Sequence, residues 1–226
     1  MPLPTRIGRV HLPVLCLVVS KADAKDGDLE KLVSEAVAGG VDMVQLRDHS
    51  LPAGELLELA RNLKRITRGK ALLVINDRVD VAEAAEADGV QIPENGLPTR
   101  TVRSIMGRYV VLGRSVHTVD AAHQAGSDGA EFVIAGTIYK SPSKPDVKPV
   151  GAGLIAGITK DSSLPVLAIG GVTADKVEEL IQAGASGVAV VSAITKADDP
   201  KAAAEALNKA LKEAWTNRGA AVAASA

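Results

Sequence analysis

Short apolar runs alternate with longer segments of helical periodicity along almost the whole chain. Segments such as "DLEKLVSEAVAGG" and "AGELLELARNLKRI" place apolar residues at i, i+3, i+4 and i+7, which is the spacing of one helix face. The apolar runs between such segments have the length of buried strands. We predict eight strands, at Leu15–Val19, Met43–Leu46, Leu72–Ile75, Gly89–Ile92, Val110–Ser115, Glu131–Ala135, Pro165–Ile169 and Gly187–Val191.

The alternation of strands and helices predicts the fold class. Eight strand–helix pairs predict a parallel α/β fold, a (β/α)8 TIM barrel folded as a single domain. A weak internal repeat agrees, because "AEADGVQI" and "QAGASGVAVV" both end a helix with small residues and then begin a strand. We place an N-terminal extension at residues 1–13, the barrel at 14–216 and a flexible C-terminal tail at 217–226.

The composition indicates which partners to expect and says little about the reaction chemistry. Aromatic residues make up 2% of the chain and hydrophobic residues 46%, so the core must be aliphatic, as suits parallel strands covered on both faces. A net charge of −1 without a basic block predicts no nucleic-acid or membrane partner. The single Cys16 cannot form an internal disulfide, and no segment approaches the ~18 apolar residues of a membrane span. We expect a soluble, cytoplasmic homo-oligomer.

Candidate functional residues follow the predicted strands, whose carboxyl ends meet at one mouth of a barrel. Gly170 and Gly171 follow the seventh predicted strand, and Ser192 follows Val191 at the end of the eighth. Glycines let a backbone approach an anion, and N–H groups at helix starts bind phosphate. We predict that these four residues bind a phosphate, although the two glycines alone would also suit a tight turn.

Arg47, Asn76 and Asp77 end the second and third predicted strands. A guanidinium at this mouth is expected to bind phosphate or carboxylate, unless Arg47 pairs with Asp48 or Asp77. We predict that Asn76 binds substrate. Asp77 has three possible roles, in that it can hold Mg²⁺, orient substrate or cap the next helix.

Ser115 and His117 end the fifth predicted strand in the segment "LGRSVHT". Histidine exchanges protons near neutral pH, so His117 is the candidate general acid/base, with Ser115 binding substrate; a structural imidazole is the alternative. The long irregular segment 136–151 adds hydroxyl groups and the substrate-binding candidate Lys144. It can form a lid over an anionic ligand or a solvated surface excursion.

These segments together resemble the thiamine phosphate synthase superfamily, which includes the TenI-type thiazole tautomerases. "VQLRDHS" is similar to Q-[LF]-R-E-K, and "INDRVDVAEAAEADGVQI" is similar to N-D-[RD]-V-D-[IL]-A. "GTIYKSPSKP" resembles G-P-[IV]-[YF]-x-T-x-T-K, with Ser141 and Ser143 at the threonine positions. "VLAIGGVTADKVEELIQAGASGVAVVSAI" follows the family's phosphate-binding end. The resemblance implies a barrel that binds a phosphorylated thiazole.

Departures from the synthase motifs decide the expected subfamily. The resemblance implies that a synthase holds Mg²⁺ with Asp77 and with a second aspartate in a segment like H-L-G-Q-x-D-L-P. Here that segment reads "QIPENGLP", with Gly96 at the aspartate position, and His49 replaces the lysine of R-E-K. "GRSVHT" is similar to the tautomerase segment G-R-S-V-H-[ST], whose histidine is the general acid/base and corresponds to His117.

We therefore expect an isomerase, a thiazole tautomerase of thiamine biosynthesis that aromatises a thiazole carboxylate phosphate through His117 and needs no cofactor. The first alternative is a transferase, a thiamine phosphate synthase that couples hydroxymethylpyrimidine pyrophosphate to thiazole phosphate with Mg²⁺ at Asp77. The second alternative is a non-catalytic regulator that binds a thiazole phosphate.

Overall fold

A computed structural model describes residues 5–24, 27–141 and 146–224 of the chain. Eight parallel strands form a closed barrel, and each overlaps one of the eight predicted strands: β3 (Val14–Val19), β4 (Met43–Leu46), β5 (Leu72–Asn76), β6 (Gly89–Ile92), β7 (Val111–Val116), β8 (Phe132–Ala135), β9 (Val166–Ile169) and β10 (Gly187–Val190). Neighbouring strands pair in sequence order, and β10 closes the barrel on β3. The predicted single-domain (β/α)8 barrel is confirmed.

Helices connect the strands and cover the outside of the barrel. They are α1 (Leu29–Ala38), α2 (Ala53–Thr67), α3 (Val79–Ala84), α4 (Thr99–Met106), α5 (Val119–Ser127), α6 (Gly153–Asp161), α7 (Val177–Gln182), α8 (Ser192–Thr195) and α9 (Pro200–Ala224). Short 3-10 turns lie at Lys21–Asp23 and Ala174–Lys176. The predicted domain boundary at residue 216 falls inside α9, which the structure continues to Ala224. None of the helices within the described ranges is long and apolar enough to cross a bilayer.

The alternating side chains of the strands build two apolar cores. Leu15, Val44 and Leu73 point outward and pack with the helices. Cys16, Met43 and Val74 point into the barrel, where Phe132 supplies the bulk. Because the inner positions continue toward the carboxyl ends of the strands, the same alternation sends Gln45, Asn76 and Ser115 into the barrel mouth.

A short N-terminal hairpin closes the opposite end of the barrel, which we call the lower end. It consists of β1 (Arg6–Ile7) and β2 (Val10–His11), and Ile7 is 1% exposed within the inner core. Gly8, at φ +54°, lies where a Cβ atom would come within 2.7 Å of Val111. Arg9 fixes the hairpin to the barrel, since it donates to Ala71 O at 2.7 Å and pairs with Asp88 at 2.5 Å.

Candidate functional site

A cavity of about 950 Å³ opens at the carboxyl ends of the strands, which we call the upper end. Its wall brings together most of the residues singled out in the sequence: Arg47, Asn76, Ser115, His117, Gly170, Gly171, Val191 and Ser192. It also includes Glu94, together with Gln45, Lys140 and Lys176, and the sequence did not single out these last three. Lys144 lies outside the described residues.

Two buried amides meet in the cavity wall. Gln45 is 4% exposed and Asn76 is 7% exposed, and Gln45 Nε2 donates to Asn76 Oδ1 at 3.0 Å. This bond leaves Gln45 Oε1 and Asn76 Nδ2 without partners among the residues that the structure describes. The amide pair therefore offers one unpaired acceptor and one unpaired donor. Such atoms are costly to leave unpaired, so they are typical of a ligand site.

A second polar pair lies deeper in the barrel. Gln91 is fully buried, and its Nε2 donates to Ser115 Oγ at 3.0 Å. Gly113 makes room for this side chain, because a Cβ atom at that position would overlap Gln91 Oε1 and the Phe132 ring. The bond holds the predicted substrate residue Ser115 in the wall. A signal for both glutamines was present in the sequence, since each occupies an inward position of an otherwise apolar strand.

His117 pairs with Glu94 across the mouth. His117 Nδ1 lies 2.6 Å from Glu94 Oε2, and both side chains are a little over two-fifths exposed. A carboxylate in this position accepts a hydrogen bond from Nδ1–H and orients the ring, which leaves Nε2 for a ligand. Arg114 fixes the loop that carries Glu94, since it donates to Glu94 O at 2.7 Å and to Leu97 O at 2.6 Å. As the alternation of β7 predicts, Arg114 therefore acts outside the barrel.

Arg47 is exposed in the cavity wall and is available to an anion. Its guanidinium forms neither a hydrogen bond nor an ion pair with any described residue, so the alternative of pairing with Asp48 or Asp77 is wrong. Asp48 instead accepts from Ser50 and from the backbone of Lys21 and Leu51. These bonds outweigh the effect of burial and hold the pKa of Asp48 below its usual range.

Asp77 lies next to Gly96, and its side chain does not cap α3. It has φ +64°, its N–H donates to Gln91 O at 2.9 Å, and α3 begins after Arg78 without a side-chain cap. A Cβ atom at Gly96 would lie 2.9 Å from Asp77 Oδ1. The same Cβ atom would lie 3.0 Å from Ile92 Cγ2 and 3.0 Å from Pro93 Cδ, so the place beside Asp77 is already crowded and an acidic side chain at residue 96 would require these neighbours to move. The capping role predicted as one alternative is wrong.

The residues around Asp77 could hold a magnesium ion only if waters and substrate phosphates supplied most of its ligands. Across the described part of the chain, no cluster of three or more His, Cys, Asp or Glu side chains is arranged to hold a metal. Mg²⁺ is nevertheless commonly bound through one or two carboxylates together with waters and substrate phosphates. Asp77 with the oxygens of a diphosphate would fit that pattern, although Asp77 itself is not among the residues that line the cavity. A metal held by protein alone would not fit.

Unpaired backbone N–H groups line the side of the cavity formed by β9 and β10. Those of Gly170, Gly171 and Val172 donate to no acceptor within the described ranges, and neither do those of Ser192 and Ala193. Gly170 and Gly171 have φ values of +103° and +63°, so they also form the tight turn that the sequence suggested. The turn and an anion site are therefore compatible here.

The segment 136–151 is anchored at both ends. Ile138 N donates to Ile169 O at 2.9 Å and Tyr139 N to Gly170 O at 3.0 Å, while Val150 N and Gly151 N bond back to Thr137 O and Ile138 O. Its central residues 142–145 lie outside the described residues, so the predicted lid stays a prediction. His49 is exposed and does not line the cavity.

Comparisons with known proteins agree with this geometry. The family described as thiamine monophosphate synthase matches residues 15–194. A protein of Geobacter sulfurreducens named "Putative thiamine-phosphate synthase" is 44% identical over 195 residues, which cover 85% of this chain and 92% of that protein. A "Thiamine-phosphate synthase" of Haloarcula marismortui is 41% identical over 189 residues, which cover 81% of this chain and 90% of that protein.

A solved structure agrees as well. The structure described as "Thiamine phosphate pyrophosphorylase from Pyrococcus furiosus" superimposes with a TM-score of 0.82 at 32% identity, covering 89% of this chain and 96% of that one. The two relatives are named as synthases and the solved structure as a pyrophosphorylase, and both names denote transferases, so the expected thiazole tautomerase, an isomerase, is wrong. The tautomerase expectation relied on a local difference, the glycine at residue 96, whereas the similarity to synthases extends over the whole barrel. The chain belongs to the thiamine monophosphate synthase family.

Proposed function

We propose that this protein is a thiamine phosphate synthase. In this reaction the ring nitrogen of a thiazole phosphate forms a bond to the methylene carbon of an aminopyrimidine pyrophosphate, and the bond from that carbon to pyrophosphate breaks. The observation that carries the proposal is the cavity itself. It offers unpaired N–H groups on one side, an unpaired guanidinium on another, and an unpaired amide donor and acceptor in its wall.

The aminopyrimidine fits the amide pair. An aminopyrimidine presents an amino donor next to a ring-nitrogen acceptor. Gln45 Oε1 can accept from the amino group while Asn76 Nδ2 donates to the ring nitrogen, so both buried orphan atoms gain partners. A site built from paired donors and acceptors discriminates strongly against analogues that lack one of them.

The thiazole phosphate fits the opposite side. The N–H groups of Gly170, Gly171 and Val172 and those of Ser192 and Ala193 would bind its phosphate oxygens, with Val191 shaping the wall between them. In the closed strand order, β9 and β10 lie across the barrel from β5, which ends at Asn76, and from β6. The two substrates would therefore enter one cavity from opposite walls, which is the arrangement that bond formation needs.

The pyrophosphate fits the edge formed by β4 to β7. Arg47 can bind it through two parallel N–H groups, and His117, when both ring nitrogens carry a proton, can donate from Nε2 to one of its oxygens while Nδ1 donates to Glu94. Mg²⁺, when bound with Asp77 and the pyrophosphate, supplies charge neutralisation for the departing group. In this arrangement His117 binds the leaving group, whereas the predicted lid residue Lys144 remains a candidate from the sequence alone.

The protein itself forms no covalent bond in this reaction. The thiazole nitrogen contributes its lone pair, and the electrons of the breaking carbon–oxygen bond leave with pyrophosphate. The protein aligns the two reacting atoms and stabilises the departing charge, and such positioning and electrostatic effects supply much of the catalysis in related transfers. Buried apolar residues such as Val18 and Ile134 in the cavity wall help to exclude water from the methylene carbon.

The test is a reconstituted reaction. Purified protein is mixed with both substrates and Mg²⁺, and the products are separated by chromatography; omission of either substrate provides the control. We expect thiamine phosphate only in the complete mixture. Binding of both substrates by calorimetry without any product would contradict the proposal and leave a non-catalytic binding protein. Assembly into a homo-oligomer and a cytoplasmic location stay predictions from the sequence.

A further inference from the structure

Lys176 lies beside the Gly170–Gly171 turn, and it is not one of the backbone N–H donors of the proposed phosphate site. Its Nζ donates to Gly171 O at 3.0 Å, and the same ammonium group stands 4.6 Å from the centre of the Tyr139 ring. The side chain is partly buried and forms part of the cavity wall. An ammonium group therefore holds a backbone carbonyl at the place where an anion is expected to bind.

Three successive carbonyl groups in this turn are occupied. Ile169 O accepts from Ile138 N at 2.9 Å and Gly170 O from Tyr139 N at 3.0 Å, while Gly171 O accepts from Lys176. A trans peptide group is planar, with its N–H opposite its C=O. Fixing these three carbonyls thus fixes the N–H groups of the residues that follow them, which are the unpaired N–H groups of the phosphate site.

The first two of these carbonyls are held by the backbone, and only the third is held by a side chain. The Gly171–Val172 peptide therefore depends on Lys176 for its orientation. Gly171 has φ +63° and is free to adopt other conformations when that bond is lost. The bond also lies in a crowded place, since a Cβ atom at Gly171 would come within 2.9 Å of Tyr139 Cβ.

Tyr139 supports the lysine from the other side. Its ring provides a cation–π contact, and its hydroxyl donates to Glu179 Oε2 at 2.7 Å, which fixes the ring on α7. Burial, and then the bond to Glu179, raise the pKa of Tyr139, so the phenol stays a neutral donor. The backbone N–H of Tyr139 also holds Gly170 O, so one residue supports two of the three carbonyls.

We propose that Lys176, seated on Tyr139, is a positioning residue that sets the affinity of the phosphate site by holding the Gly171–Val172 peptide. This inference rests on the proposed function for the identity of the phosphorylated ligand. The competing explanation is simple attraction between the lysine charge and the phosphate. The two explanations differ in one respect, because only the positioning role requires the uncharged ring of Tyr139.

The test compares two disruptive variants with a matched control. Lys176→Met removes the bond to Gly171 O, and Tyr139→Leu removes the ring but keeps the lysine charge. Lys160→Met, on α6 and outside the cavity wall, removes an equal charge elsewhere. Affinity for thiazole phosphate alone, and for inorganic phosphate, is measured by calorimetry, and the thermal midpoint of each variant confirms folding.

We expect Lys176→Met and Tyr139→Leu each to weaken thiazole phosphate binding by about tenfold, as for a hydrogen bond to a charged group. Tyr139→Phe should lose less than Tyr139→Leu, and Lys160→Met should bind like the wild type. In the full reaction the KM for thiazole phosphate should rise, with kcat and the KM for the pyrimidine substrate within about twofold of the wild type.

Two results would overturn the inference. One is a Lys176→Met protein that is folded and binds within twofold of the wild type. The other is a Tyr139→Leu protein that retains full affinity, which would leave only charge attraction. If the wild type binds thiazole phosphate but forms no thiamine phosphate, the proposed function fails while the binding series still decides the role of Lys176.

Discussion

The two ends of the barrel treat their polar groups in opposite ways. At the lower end, Asp88 accepts from Leu73 N at 2.9 Å and pairs with Lys64 at 2.8 Å and with Arg9. At the upper end, buried Gln45 and Asn76 each keep an atom without a partner, and the Arg47 guanidinium pairs with no described residue. Unsatisfied buried atoms each cost about 1–3 kcal/mol, and those of Gln45 and Asn76 lie in the cavity wall, where a ligand can supply the partners. His123 Nε2 and Thr195 Oγ1 are also unpaired among the described residues, but they lie on helices outside that wall.

Two aspartates of the lower end differ from each other in pairing and in the direction of their pKa shifts. Asp42 and Asp88 directly precede β4 and β6, and each accepts from the N–H of a residue on the preceding strand. Burial raises the pKa of Asp42 to about 6, against smaller opposing effects of Leu15 N and Lys212. Burial acts in the same direction on Asp88, but bonds from Arg9, Lys64 and Leu73 outweigh it and lower its pKa. Of these two aspartates, Asp88 forms ion pairs with described cations and Asp42 does not, so ionisation stabilises the fold at Asp88.

The strongest test of the upper end is Gln45→Leu. Because the acceptor for the pyrimidine amino group is lost, we expect kcat/KM to fall by about 100-fold. The thermal midpoint should also fall moderately, since the substitution removes the bond from Gln45 Nε2 to Asn76 Oδ1 and leaves the buried Asn76 amide without a partner among the described residues. Steady-state kinetics and differential scanning calorimetry on the same sample measure both. A large loss of stability with normal kinetics would show that the amide pair is structural.

The reciprocal test of the lower end is Asp88→Asn, which weakens the pairs with Arg9 and Lys64. We expect a loss of about 2 kcal/mol in the free energy of unfolding at pH 7 with kcat/KM preserved. The pKa of Asp88 is lowered in the folded state, so its stabilisation is present above the unfolded carboxyl pKa and is lost as the pH falls. Urea unfolding at pH 7 and pH 3 should therefore show a larger difference at pH 7 than at pH 3.

Asp77→Asn tests the one-carboxylate magnesium site. We expect the Mg²⁺ concentration for half-maximal rate to rise by about tenfold, while the affinity for thiazole phosphate alone is unchanged. Titration of Mn²⁺ into protein with inorganic pyrophosphate, followed by electron paramagnetic resonance, gives a readout without turnover. An unchanged Mn²⁺ affinity would remove Asp77 from the site.

The smallest expected effect is that of Asp42→Asn. The folded pKa of about 6 lies above the usual value of 3.8, so charging Asp42 destabilises the fold as the pH rises through this range. Asparagine keeps an oxygen for Leu15 N and cannot ionise. We expect a gain of about 1 kcal/mol at pH 7.5 that disappears below about pH 4. Thermal melts at both pH values check the sign, and a loss of stability at pH 7.5 would contradict it.

The barrel could be predicted from the sequence because its signals are local. Apolar runs such as that of Leu72–Asn76 fill both faces of a buried strand, and the alternation of β7 assigned Arg114 and His117 to opposite sides. The hairpin at the lower end was missed because its strands have two residues each and carry no periodicity. Glu94 was missed as the partner of His117 because 23 residues separate them and only closure of the barrel joins their loops.

The function was misassigned for a related reason. The glycine at residue 96 and the histidine of "GRSVHT" are local differences, and they outweighed a similarity that extends over the whole barrel. The buried glutamines would have pointed toward the correct site, since a polar residue at an inward position of an apolar strand needs a partner. Lys176 carried no signal of this kind, because its role depends on the three-dimensional path of the turn.

The central claim is that the upper end joins two phosphorylated substrates. Phosphorus NMR follows all of its reactants and products in one sample of purified protein, Mg²⁺, thiazole phosphate and hydroxymethylpyrimidine pyrophosphate. We expect the signals of thiamine phosphate and free pyrophosphate to grow at equal rates while both substrates decline together. Pyrophosphate released without thiamine phosphate, or substrate signals that never change, would contradict it.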